Sequence, residues 1–220
     1  MSEGIIGSKV SELRDVINYS ITIRDYAMSK NWEKICSCMD TLGDTDLAIN
    51  TYFNISDNLI KDLSNHFKDD NYSFEYGIKY LLLYGVLQSM FIQQDAFLDI
   101  YYEIITPEEK FNNFKKNFLD KYPILKKIRD IRNKAIGHPT NKEDPITGYK
   151  FFNFINRGLL VQGYFVLLSY KDSKRPQTIS IRLEDYWKEQ QKIISAHIEE
   201  IITFLKNKEK EIVNNSNRRQ

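Results

Sequence analysis

The stretch from Phe74 to Ile105 constrains this chain more than any other. It opens after the turn-like cluster Asp69, Asp70, Asn71 and Ser73, closes at Thr106 and Pro107, and is apolar nearly all round at helical spacing. A long helix with almost no polar face must be buried against other helices, so it is predicted to form the centre of a helical fold. One stripe departs from this pattern. Tyr84, Gln88, Asp95, Asp99 and Tyr102 fall within about 60° of each other on a helical projection. Polar groups on a buried helix need partners. The stripe is therefore either an internal hydrogen-bond network or subunit contact, or a place where Asp95 or Gln88 orients a catalytic cation.

Helical spacing also runs from Ser8 through Val10, Leu13, Ile17 and Ile21, and a second helix is predicted from Asn31, with Gly43 and Asp44 placed to interrupt it. Pro123, suited to a first helical turn, opens another that ends near Ala135 and lines up Ile124, Ile128, Ile131 and Ala135 on one face. After Pro139 the period changes. Tyr149 to Tyr170 is rich in aromatic and β-branched residues broken by Arg157, Gly158 and Gly163, and Thr178 to Leu183 alternates cleanly, which together predict a β-hairpin or three-stranded meander. Helical spacing returns from Glu184 to about Val213, and the closing NNSNRRQ has no pattern that would order it. The expectation is a mainly α fold: one helical domain over 1–213, a β insertion at about 149–183 before the C-terminal helix, and a disordered tail at 214–220.

The 31 basic and 30 acidic residues nearly cancel, so attraction to an anionic partner must come from local charge. Such a concentration exists. Lys115, Lys116, Lys121, Lys126, Lys127, Arg129, Arg132 and Lys134 face only Asp120 and Asp130, a local charge of about +6, which suits either a solvated helix face or an anionic ligand. The aromatic residues Tyr149, Phe151, Phe152, Phe154, Tyr164 and Phe165 could stack bases, although core or interface packing is the simpler reading. Cys36 and Cys38 lie on different helical faces and read as core thiols, and with His66, His138 and His197 scattered there is no zinc spacing. Neither a metal nor a cofactor is expected. MSEGIIGSKV lacks the layout of a secretory signal, and the longest apolar run, Tyr80 to Leu87, falls short of the roughly 20 residues of a membrane span. A cytoplasmic protein without membrane association is expected.

Residues 132 to 139, RNKAIGHP, carry the chemistry. Gly137 is a good left-handed helix terminator, and Pro139 stops the helix and biases His138 to an extended conformation. Arg132 lies at the edge of the apolar stripe, with Arg129 one turn earlier and further toward solvent. An imidazole titrating near neutrality can move a proton to or from a ribose hydroxyl or a leaving oxygen, and a guanidinium can clamp a phosphate whose charge grows in the transition state. General base and general acid each want a group, and only one histidine lies here. A two-fold dimer placing two copies face to face would supply both. His66 and His197, with no arginine at comparable spacing, read as structural or surface residues.

RNKAIGH resembles the arginine, polar residue, histidine motif of the HEPN superfamily, and IRDIRNKAIGHPTN is similar to its form in bacterial HEPN-like proteins linked to abortive infection and toxin systems. The resemblance is sharp over about residues 122 to 141 and architectural over the preceding helices. It implies a HEPN-like helical bundle that dimerises, and a metal-independent endoribonuclease serving phage defence or acting as a toxin. Arg132 and His138 would be its catalytic residues, with Asn133 the assisting polar residue. Arg129, Lys126, Lys127 and Lys134 would then bind RNA, and Asp95 or Gln88 would orient the cation. An antitoxin or nucleotidyltransferase partner also follows from the resemblance. The alternative is a non-catalytic HEPN-like module that binds nucleic acid, a nucleotide or a partner protein. The strands at about 149–183 go beyond a minimal HEPN bundle.

Overall fold

A computed structural model of the protein describes residues 4–66, 71–136, 142–143, 150–171, 175 and 177–217. Its architecture is mainly helical, with a small antiparallel sheet before the C-terminal helix. The order is α1 (Ile5–Tyr19), α2 (Ile21–Met28), α3 (Trp32–Asn54), α4 (Asp57–His66), α5 (Asn71–Ile105), α6 (Phe111–Lys121), α7 (Pro123–Ala135), β1 (Lys142–Glu143), β2 (Lys150–Ile155), β3 (Tyr164–Lys171), β4 (Gln177–Arg182) and α8 (Leu183–Asn217). No helix among the described residues is long and apolar enough to cross a membrane.

The chain forms two compact units, each assembled from separate stretches. One comprises Met1–Leu47, Ile92–Leu125 and Glu189–Gln220. Its core is the later part of α5, where Phe97, Leu98, Ile100 and Ile104 are buried, together with Ile6, Leu13 and Ile17 of α1, Phe118 of α6 and Ile194, Ile198, Ile201 and Leu205 of α8. Asp46 is only 1% exposed, and its Oδ2 accepts from the Gly7 backbone N–H at 2.9 Å. Gly4 offers α1 no side-chain cap, so a carboxylate from α3 satisfies that open helix end and complements its dipole. Three buried glutamines form a chain: Gln94 Nε2 donates to Gln190 Oε1 at 2.7 Å, and Gln190 Nε2 donates to Gln93 Oε1 at 2.9 Å.

The other unit comprises Ala48–Phe91 and Lys126–Lys188. Leu83, Val86, Leu87 and Met90 of α5 are buried, as are Ile128 and Ile131 of α7 and Phe165, Leu167 and Ile181 of the sheet. The opposite side of this part of α5 is open: Leu81 is 72% exposed and Tyr84 37%. The helix expected to be buried all round is therefore buried on one side only over these turns. The sheet has the order β1-β2-β3-β4, antiparallel throughout, with Phe154 opposite Leu168 and Leu168 opposite Thr178. It contains the expected meander and one short extra strand, β1, that begins before the predicted boundary.

Gly163 closes the turn into β3 with φ +71°, a conformation that favours glycine. Its N–H donates to the Tyr52 hydroxyl at 3.0 Å, and its carbonyl accepts from Leu183 N–H at 2.8 Å where α8 begins. Burial pushes the Tyr52 phenol above its ordinary pKa, so it stays a neutral acceptor here. Tyr52→Phe is expected to destabilise the protein by about 1–3 kcal/mol by stripping the acceptor from a part-buried N–H, read as a lower urea midpoint at unchanged slope.

Several boundaries differ from the sequence expectation. α1 starts at Ile5 rather than Ser8 and ends at Tyr19; the Ser20 side chain accepts from Ile23 N–H at 3.2 Å and starts a separate helix, α2. α3 runs through Gly43 and Asp44 without interruption, because Met39, Leu42 and Ile49 are buried on either side and outweigh one helical glycine, worth about 1 kcal/mol. The sequence set no bounds for helices α4 and α6. α8 continues through Asn217, so the first residues of the predicted disordered tail are helical, and 218–220 lie outside the described residues.

Candidate functional site

Arg132 projects from the last turns of α7, one residue after buried Ile131. Its Nε and Nη2 donate to Gln88 Oε1 at 3.0 and 2.8 Å, and its Nη1 donates to Asn133 Oδ1 at 3.0 Å. The guanidinium carbon lies 4.8 Å from the centroid of Phe91, and that of Arg129 lies 4.0 Å from the same ring. Two arginines one turn apart on α7 thus share one aromatic ring of α5, three residues beyond the glutamine that holds one of them.

Every hydrogen-bond partner of Arg132 among the described residues is a neutral amide. Two amide oxygens fix the plane of the guanidinium without neutralising it. Arg has five N–H donors, and three are used, which leaves one on Nη1 and one on Nη2. Among the described residues, then, the arrangement is an oriented cation with two donors and no countercharge, suited to an anion.

The other polar residues of the α5 stripe go elsewhere. Asp95 accepts from Lys115 Nζ at 2.8 Å, and Lys34 Nζ lies 2.9 Å from Asp99 and 3.2 Å from Glu103. The Tyr102 hydroxyl donates to the Glu109 carbonyl at 2.6 Å. Of the two candidates for orienting a cation, Gln88 meets Arg132 and Asp95 meets a lysine. Asn133 also meets Arg132. Lys126, Lys127 and Lys134 are exposed, with Lys127 Nζ 5.4 Å from the Tyr186 ring centroid. Lys126, Lys127 and Lys134 thus give the site a basic surround.

His138, with Gly137 and Pro139, lies outside the described residues, as do Tyr149 and the side chains of His66, Phe151 and Phe152. α7 ends at Ala135, with Ile136 N–H donating to the Arg132 carbonyl at 2.9 Å, so the helix stops where the glycine and proline would stop it. His197 is buried within Phe97, Tyr101, Phe118 and Tyr122. Its Nδ1 lies 2.7 Å from the Ile193 carbonyl, which can only accept, and its Nε2 lies 3.1 Å from the Tyr122 hydroxyl. Both ring nitrogens are occupied by the fold, as befits a structural histidine. The thiols are unsuited to nucleophilic work: burial pushes Cys38 up to about 11 and raises Cys36 as well.

Phe91 is the site residue that the sequence did not announce. It reads as one more apolar position of α5, and only its place three residues after Gln88 hints that both face α7. No family model, no curated protein and no solved structure matches the chain.

Proposed function

We propose that this protein is a metal-independent endoribonuclease of HEPN type, serving phage defence or acting as a toxin, with Arg132 and His138 contributed by two protomers of a homodimer. The observation that carries the reading is the hold on Arg132: among the described residues, Gln88 and Asn133 orient its guanidinium through neutral oxygens, and two donors and the charge are left unspent. No carboxylate lies within ion-pair distance of Arg132 among the described residues.

In the proposed reaction, His138 of one protomer takes the proton of a ribose 2′-hydroxyl, and the 2′-oxygen attacks the adjacent phosphorus. The new P–O2′ bond forms as the P–O5′ bond breaks, and the leaving 5′-oxygen receives a proton from the partner subunit's His138. Arg132 binds a non-bridging phosphate oxygen and stabilises the charge that grows there. Arg129, Lys126, Lys127 and Lys134 draw in the rest of the polyanion. The test is cleavage of mixed RNA in EDTA: wild type is expected to cut and His138→Ala to be folded and inactive. Intact RNA with wild type would favour the non-catalytic binding module instead.

The requirement for a second protomer finds support in exposed Leu81 and Tyr84, two turns and one turn before Gln88 on α5. Leu81→Asp is expected to convert a dimer to a monomer by light scattering, with the helical circular dichroism unchanged and cleavage lost. A wild type that is monomeric and active at working concentration would remove the two-protomer site.

A further inference from the structure

Where β4 passes into α8, the sequence builds a recess. Ile181 and Leu183 are both buried, so Arg182 between them points to the outer side of the sheet, beside its cross-strand partner Tyr164. The chain then enters α8, whose first turn carries Glu184 and Asp185. Leu183 N–H donates to the Gly163 carbonyl at 2.8 Å and Gly163 N–H to the Tyr52 hydroxyl at 3.0 Å, which pins this corner against the end of α3. Phe53, next to Tyr52, is held by stacking on Trp187, with centroids 4.6 Å apart and planes inclined by 12°. Between these elements lies a recess of about 420 Å³, lined by Phe53, Gln162, Tyr164, Arg182, Glu184 and Asp185. Its size is that of a small-molecule site.

The lining groups say what fits. Glu184 pairs with Lys188 at 2.7 Å, whereas Arg182 and Asp185 have no ion-pair partner among the described residues. Two carboxylates disfavour a phosphate in the recess and the guanidinium disfavours a metal cation, while the aromatic walls favour a neutral planar ring. Such a ring must offer donors to a carboxylate on one edge and acceptors to a guanidinium on another. Among the nucleobases guanine does so with two bonds at each: the N1 proton and the 2-amino group stand side by side for both oxygens of a carboxylate, and O6 and N7 for an arginine fork. Adenine and cytosine set a donor beside an acceptor, and uracil has one N–H between two carbonyls, so none of these gives Asp185 two parallel bonds. Lys127 Nζ of α7 lies 5.4 Å from the ring centroid of Tyr186, the residue after Asp185, so the basic face of α7 runs beside the first turn of α8 and draws a polyanion toward the recess.

We infer that this recess binds an unpaired guanine base, with Asp185 on its Watson–Crick edge, Arg182 on O6 and N7, and the ring against Phe53 and Tyr164. The inference goes beyond the ribonuclease reading and rests on it only for the source of the base, a guanosine of the RNA or a free guanine nucleotide. The recess recognises a base and is separate from the residues that do the chemistry.

The experiment is isothermal titration of the full-length protein with guanosine 5′-monophosphate, compared with the adenosine, inosine and xanthosine monophosphates. The guanosine nucleotide is expected to bind, the inosine one, which lacks the 2-amino group, about tenfold more weakly, and the adenosine one about a hundredfold more weakly. Asp185→Asn exchanges one carboxylate oxygen for an amide donor, so it is expected to lose guanosine by about tenfold or more and to gain xanthosine, whose 2-carbonyl accepts from that amide. A merely structural loss produces no such gain. Should Asp185→Asn fold poorly, Arg182→Gln, exposed at the end of β4, is expected to weaken guanosine binding about tenfold. No binding by wild type, equal binding of the guanosine and adenosine nucleotides, or undiminished guanosine affinity in both variants overturns the inference while leaving the cleavage result to stand. The source of the base is read on RNA of mixed sequence. Cuts at a fixed distance from guanosines, a preference lost in Asp185→Asn, uphold the recess as a reader of substrate; cuts indifferent to guanosine, at a rate changed by added guanosine monophosphate, uphold it as a site for the free nucleotide. A wild type that binds guanosine monophosphate selectively yet cuts nothing upholds the recess and removes the ribonuclease.

Discussion

Arg132→Ala is expected to lower kcat/KM for RNA cleavage by about 10²–10³-fold, with fold and oligomeric state unchanged, because it removes a preoriented cation from a developing phosphate charge. Two further substitutions separate charge from mere presence. Arg132→Lys keeps a positive charge but offers a point charge on a flexible stem, which cannot hold Gln88, Asn133 and a phosphate oxygen in one plane; it should recover little of the loss. Gln88→Glu is nearly isosteric and keeps the acceptor at the position of Oε1, yet gives Arg132 a carboxylate, which it lacks among the described residues. It should leave stability intact and still reduce cleavage by about tenfold or more, since a neutralised guanidinium attracts phosphate less strongly. Steady-state cleavage rates together with urea titrations check all three. Full activity in Gln88→Glu would mean that the neutral hold on Arg132 has no catalytic purpose.

Gln190→Ala is expected to be the most destabilising polar substitution, at about 3–5 kcal/mol. It opens a cavity in α8 and removes both the acceptor for Gln94 and the donor to Gln93 inside a water-poor core. Gln93 Nε2 already lacks a partner among the described residues, so this network has little reserve. Replacing Gln93, Gln94 and Gln190 together by Leu or Met removes the polar groups at both ends of each bond and should recover most of the stability. A urea midpoint for Gln190→Ala that equals that of wild type would show the three amides to be dispensable.

What could be read in the sequence was what depends on local period. Ile128 and Ile131 announce the buried face of α7, Pro123 its start, and the alternation from Thr178 to Leu183 anticipates β4 and buried Ile181. α6 escaped notice because Phe114 and Phe118 sit among lysines and asparagines, and only tertiary burial makes them a core face. Asp46 capping α1 could not be read locally either, since the two partners are 39 residues apart. The α5 stripe pointed to the right helix face but could not rank its members. Asp95 and Asp99 were drawn to lysines, and the amide Gln88, 44 residues from Arg132, holds the arginine. Phe154 shows the same limit: strand periodicity identifies a face without saying whether anything covers it.

The chemistry of the RNA ends tests the central claim most directly. Attack by a 2′-hydroxyl requires fragments bearing 2′,3′-cyclic phosphate and 5′-hydroxyl ends, formed in EDTA, and no cut where the ribose at the scissile position is replaced by 2′-deoxyribose. Mass spectrometry of the fragments from a short RNA of defined sequence is expected to show these termini with wild type and none with His138→Ala. Fragments ending in 3′-hydroxyl and 5′-phosphate, or equal cutting at a 2′-deoxy position, would contradict the account.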